Sequence, residues 1–197
     1  MELDDMLADQ EIRIDSNNSA LYERMNQLAD KPISGISNCF GTVAHLLGVE
    51  QEVLMYWQGV LMTPEVRKRK ASYDYVQYNG ERKPGYVGPL PMTLFLTQSG
   101  EAREIGKRRA VDNIVSFFQE VADEQGKRVL WHTGIYLGDF HGMEMMFHQN
   151  GTGGRFELMP VKHYVRNMYS EEVLNGYVAG RSWVPVKFFE VDSAGAG

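Results

Sequence analysis

RVLWHTGIYLGDFHGMEMMFHQNG, residues 128 to 151, decides the fold. Its apolar residues recur at every second position on either side of a glycine-bounded turn, the pattern of two paired strands rather than of a helix. Placing the turn at Asp139-Phe140-His141, between Gly138 and Gly142, centres the hairpin on Phe140 and sets His132 directly opposite His148. Both imidazoles then project from one face. Thr133, Ile135 and Leu137 share the other face with Met143, Met145 and Phe147, a credible core, which leaves the histidines on the side that meets the helix of the chain's single cysteine. A slip of one residue in the turn would separate the pair.

Working outward, Arg155 to Val161 makes a third strand and Ser182 to Val191 a fourth, with the helix-like SEEVLNGYVAG between them. NGTGG (Asn150 to Gly154) connects two strands and lacks the lysine-serine ending of a phosphate loop, so it reads as a hairpin turn. Upstream the period is helical. Leu21, Met25 and Leu28 form one face of a helix over Ala20 to Leu28, and ISNCFGTVAHLLG (Ile36 to Gly48) holds a helix opening at Cys39, capped by Asn38 or Ser37 and stopped by Gly48. Further helices are expected from about Glu50 to Met62 and from Thr63-Pro64 onward. Ser72 to Pro91 mixes tyrosines with glycine and proline and reads as an extended loop. MTLFLTQ (Met92 to Gln98) is expected to be a short strand. From Glu101 to Gln125, Val111, Ile114, Val115, Phe118, Val121 and Ala122 fall at helical spacing. Helices first and sheet second give an α+β class, the cysteine-bearing helix packed on a C-terminal antiparallel sheet.

The 197 residues suit one domain, residues 1–191, with an insertion at about 64–126 and a disordered tail at 192–197. One cysteine forms no internal disulfide, which argues for a reducing compartment. The acidic start MELDDMLADQEIRID lacks the basic flank and apolar run of a secretory signal, and no stretch is long enough to span a membrane, so the chain is expected to be cytoplasmic as synthesised. A net charge of -6 disfavours nucleic acid as a partner; RKRK (Arg67 to Lys70) and KRR (Lys107 to Arg109) are without interleaved aromatics and read as solvated helix faces.

Cys39 is where chemistry enters. At a helix N-terminus the unpaired N–H groups and the helix dipole favour a thiolate, and the same donors can hold an oxyanion on an attacked carbonyl. A free cysteine is also often just a small buried hydrophobe. His132 is the candidate base, His148 its orienter through the far ring nitrogen, and Asn150, of the same parity, the alternative orienter. Two histidines on one face also fit a polar sheet surface or half a metal site, but with no third clustered ligand neither metal nor cofactor is expected.

These residues carry a resemblance. SNCFGTVAHLL resembles the "D/N-C-x-G-x-V" helix start of the NlpC/P60 cysteine peptidases, and WHTGIYLG followed by FHQN is similar to their "H-V-G-I-Y-x-G" strand and the next strand with its polar third residue. The resemblance implies a papain-like α+β core and hydrolysis of amide bonds in peptidoglycan stem peptides by a metal-free triad of Cys39, His132 and His148. It covers two short blocks and their order, about a quarter of the chain. The family's "Y-x-W-G-G" run before the cysteine is absent, with Tyr22 as a stand-in; Asn38, Tyr22 and Asn150 are the candidate substrate and oxyanion contacts. The long interval from cysteine to histidine is expected to reshape the cleft. Tyr73, Tyr75, Tyr78 and Tyr86 either line a groove for peptide or sugar or pin the loop.

The expected partner is thus a peptide or peptidoglycan fragment, with an inhibitor or immunity protein if the chain is exported by a specialised secretion machine as an antibacterial effector. Phage release, wall recycling in the cytoplasm, acyl transfer or deamidation on another substrate, and a non-catalytic binding domain of the same fold are the other readings.

Overall fold

The computed structural model describes residues 19–30, 38–49, 88–106, 109–120 and 128–191. The expected helices from Glu50 and from Thr63, the loop from Ser72 to Val87, the RKRK cluster and the tail lie outside the described residues.

Three helices come first: α1 (Ser19–Asp30), α2 (Cys39–Leu47) and α3 (Pro89–Gln98). Strands β1 (Ala102–Ile105), β2 (Ile114–Glu120), β3 (Arg128–Phe140), β4 (Met143–Gln149) and β5 (Phe156–Pro160) follow, then α4 (Val161–Met168), α5 (Glu171–Val178) and β6 (Val186–Val191). All strand pairs are antiparallel in one sheet of order β1-β6-β2-β3-β4-β5. The chain is α+β, as its segregated periodicities predict.

Helices cover both faces of the sheet. On one, Leu21, Met25 and Leu28 of α1, Phe40, Val43 and Leu46 of α2 and Met92, Phe95 and Leu96 of α3 pack with Ile114, Ile135, Met145 and Phe147. On the other, Val161, Tyr164 and Val165 of α4 pack with Val115, Phe117, Tyr136, Met146, Val186 and Phe188. Of this second layer α5 lies in the expected helix SEEVLNGYVAG, but α4 was not read from the sequence, although Val161, Tyr164, Val165 and Met168 recur at helical spacing directly after Pro160.

Two expectations are corrected. Ile114–Glu120 is a strand, not part of a helix over 101–125: Ile114 and Phe118 face one core, Val115 and Phe117 the other. A strand buried on both faces reads as an unbroken apolar run, which imitates helical spacing. Conversely, MTLFLTQ is not a strand but belongs to α3, which opens with Pro89 in its first turn, so Gly88 to Pro91 belong to this helix and its cap rather than to a loop. The hydroxyls of Thr93, Thr97 and Ser99 donate to carbonyls four residues back, at 2.7, 2.7 and 2.6 Å, and Met92, Phe95 and Leu96 present one face to the core.

The hairpin forms, with a different turn. Phe140 pairs with Met143 around the two residues His141 (φ 49°) and Gly142 (φ 78°), the double positive φ of a type I′ turn. That register alone would carry His148 opposite Ile135, on the wrong face. A bulge between Tyr136 and Gly138 shifts the ladder by one residue, so Ile135 pairs with Phe147, the last pair, and Gly134 lies beside His148. Parity is restored. His132 and His148 share a face as diagonal neighbours rather than as a direct pair. Ile135, Leu137, Met145 and Phe147 occupy the expected core, while Met143 is exposed.

Candidate active site

Cys39 opens α2 as expected. Asn38 is extended (φ -129°, ψ 176°) and its side-chain oxygen accepts from the Gly41 N–H at 2.9 Å; Gly48 closes the helix in the left-handed region. Since the Asn38 side-chain oxygen caps Gly41 and its backbone oxygen accepts from the Thr42 N–H at 2.9 Å, the residue fixes the direction in which Cys39 enters the protein.

What Cys39 meets there lies near the end of the β3–β4 ladder. The β3–β4 ladder ends at Ile135–Phe147, although β3 reaches back to Arg128 and β4 runs on to Gln149. The first turn of α2 contacts both strands beyond that point. Thr42 donates to Gln149 Oε1 at 2.7 Å, both side chains being buried, and the backbone N–H groups of Thr133, Phe40 and Cys39 itself act on the sulfur to favour its anion. Thr133 directly follows His132, so the thiol sits against the strand that carries the candidate base.

The histidines form a pair. His132 Nε2 and His148 Nδ1 are 2.9 Å apart, with the rings edge-on at 4.9 Å between centroids. Their face is the one under α4, not the one against which the body of α2 packs. This corrects the expectation that the histidine face meets the cysteine helix: α2, Cys39 included, packs in the core on the other face of the sheet. Gly134 makes the diagonal contact possible, since a side-chain carbon there would lie 2.9 Å from the Phe147 carbonyl oxygen and 3.2 Å from His148 Cβ.

Tyr164, from the unread helix α4, roofs the site. Its ring stacks on His132 (4.7 Å, 15°) and meets His148 edge-on at 5.8 Å. Burial raises its phenol pKa, and proximity to Cys39 raises it further, so its hydroxyl stays protonated beside the thiol. Glu157 is the other residue the sequence reading missed. It pairs with His148 across β4 and β5, and its Oε2 lies 3.8 Å from His148 Nε2, a buried nitrogen without a hydrogen-bond partner among the described residues.

The resting protonation states follow from burial. His132 is 5% exposed, and desolvation, then the neighbouring His148, pushes its pKa down to about 3. His148 is lowered by burial against the opposing pulls of Glu157 and then of the Gln149 backbone. Cys39 is 6% exposed, and its pKa is pushed up to about 12 because burial outweighs the three N–H groups. That reverses the expectation of a depressed thiol pKa from helix position alone. At neutral pH the site holds a thiol and two neutral imidazoles.

The remaining candidates stand apart. Asn150 is exposed at the end of β4, its N–H bonded to the Arg155 carbonyl at 2.9 Å. Tyr22 is half-buried on α1 and packs against the core that includes Cys39. Among the described residues no three His, Cys, Asp or Glu side chains group as metal ligands would, and no helix is long and apolar enough to cross a membrane. No family model matches the chain, and neither a curated protein nor a solved structure matches it.

Proposed function

We propose that the chain is a cysteine hydrolase of papain-like plan that cleaves amide bonds, with Cys39 as nucleophile, His132 as general base and His148 as its orienter, and with peptidoglycan stem peptides as substrate. The observation that carries the reading is that His132 Nε2 is held by His148 Nδ1 at 2.9 Å while the first turn of α2, which Cys39 opens, is tied to the next residue of β4 by the 2.7 Å Thr42–Gln149 bond. With Nε2 so engaged, Nδ1 is the nitrogen left to accept the thiol proton. Attack on an amide carbonyl gives a tetrahedral oxyanion, for which the N–H groups of Cys39, Phe40 and Thr133 are the nearby donors. His132 then protonates the leaving nitrogen, and water resolves the thioester.

Because the resting thiol is protonated, this is general-base activation, the proton leaving sulfur as the carbonyl is attacked, rather than a standing thiolate-imidazolium pair. The substrate class rests on the resemblance of SNCFGTVAHLL and WHTGIYLG to the peptidoglycan peptidases. Incubation with purified muropeptides is expected to give a mass change corresponding to amide hydrolysis that vanishes in Cys39→Ala. An inert wild-type protein would sink the reading. The burial of Cys39 favours a second one, a non-catalytic binding domain with a packed cysteine, and in that case muropeptides bind or pass unchanged in both proteins.

A further inference from the structure

The chain of contacts does not end at His148. Its Nε2 is buried without a hydrogen-bond partner among the described residues, and a carboxylate oxygen of Glu157 stands 3.8 Å away, beyond direct hydrogen-bond length but well within electrostatic reach. The side chains facing His148 come from three elements: His132 of β3, Glu157 of β5 and Tyr164 of α4, whose phenol stays neutral. Glu157 supplies the negative charge. It is half-buried on β5, at the edge of the sheet.

Resting on the hydrolase reading, we propose that Glu157 is a positioning residue for this reaction: its carboxylate holds the proton of His148 on Nε2, and thereby that of His132 on Nε2, leaving His132 Nδ1 as the base. A neutral imidazole carries one proton on one of two nitrogens. A carboxylate beside Nε2 selects the Nε2–H form of His148, whose Nδ1 is then an acceptor. Across the 2.9 Å contact that acceptor selects the Nε2–H form of His132, and the lone pair of His132 falls on Nδ1. Two tautomers are thus set by one charge.

The same arrangement gives the reaction's positive charge a place to go. When His132 Nδ1 takes the thiol proton, the ring holds two protons; its Nε2 proton can pass to His148 Nδ1, so that His132 is neutral again and His148 is the imidazolium beside Glu157. No proton is gained or lost. When Nδ1–H is given to the leaving nitrogen, the proton on His148 Nδ1 returns to His132 Nε2. A second histidine without a carboxylate behind it would be a poor substitute for the acidic third residue of a triad; with Glu157 it becomes a relay to one.

The test is two-bond nitrogen-proton NMR on the full chain with labelled histidines, alongside hydrolysis. In wild type both rings are expected as Nε2–H tautomers. Glu157→Ala is expected to mix or reverse them, and the isosteric Glu157→Gln to lower the His148 pKa and reduce kcat by at least about tenfold, a fraction of the roughly 10²–10⁴ that general-base catalysis contributes. Unchanged tautomers in Glu157→Ala with an unchanged His148 titration in Glu157→Gln would overturn the proposal. The spectra decide this even for a protein that cleaves nothing, whereas failure of the hydrolase reading shows as wild-type inactivity.

Discussion

His132 and His148 touch at 2.9 Å beyond the last pair of the β3–β4 ladder, Ile135 with Phe147. The contact runs past Gly134, which has no side chain to obstruct it. Gly134→Ala therefore tests the pairing directly. The added carbon would meet the Phe147 carbonyl at 2.9 Å and His148 Cβ at 3.2 Å, and a backbone oxygen in a buried strand yields little. We expect a loss of about 1–3 kcal/mol, as for other overpacked cores, read from denaturant unfolding. Hydrolysis should fall by more than the fraction unfolded explains, because His148 is displaced from His132.

Acid should unfold this protein through its histidines. His132 has its folded pKa pushed from 6.5 down to about 3, and His148 is lowered as well. Between those values the unfolded chain binds protons that the folded one refuses, so stability is complete above about pH 6.5 and is lost as pH falls below it. Thermal unfolding from pH 7.5 to 4 is expected to show a falling Tm, with a shallower slope in His132→Gln. A Tm independent of pH over that range would mean that the pair is not buried and neutral.

Much of this site was legible in the sequence, and the limits are physical. The helix start at Cys39 announced itself because a cap, a small apolar helix and a C-terminal glycine are all local signals. The shared face of His132 and His148 was reached through an incorrect turn: the two-residue loop displaced the register, and the bulge at Leu137 returned the parity. No local rule foretells such a bulge. Ile114–Glu120 and Met92–Gln98 exchanged their expected states because each is a short apolar run, and what separates strand from helix there is which neighbours cover it. Tyr164 and Glu157 were missed for a related reason. Their roles exist only through the packing of α4 and β5 against the histidines.

Thr42 holds the first turn of α2 to β4. Replacing it with valine keeps the shape and leaves the buried Gln149 Oε1 without this donor, a cost of about 1–3 kcal/mol. Thr42→Ser retains the hydroxyl and is expected to lie close to wild type. Because the bond anchors the end of α2 that carries Cys39, hydrolysis should fall in the valine variant even at temperatures where it is fully folded. Equal stability of the two variants would show that the bond contributes nothing to placing the helix.

The protonation state of Cys39 decides how the site works. With the thiol pKa pushed up by burial to about 12, the native protein holds far fewer thiolates at neutral pH than an ordinary cysteine. Iodoacetamide labelling of the native chain should therefore be slow at pH 7, rise steadily through pH 10 without a plateau, and become fast only on unfolding. Hydrolysis should follow a different curve. A base whose pKa lies near 3 is already deprotonated at pH 5, so kcat should not decline between pH 7 and 5 as it would for a histidine titrating at 6.5, provided the protein is still folded. On the proposed hydrolase mechanism, His132→Ala should abolish hydrolysis while leaving the slow alkylation nearly unchanged, since there the imidazole is called on only when a carbonyl is attacked. A labelling plateau near neutral pH that disappears in His132→Ala would instead reveal a standing thiolate-imidazolium pair, and the general-base account would have to be given up.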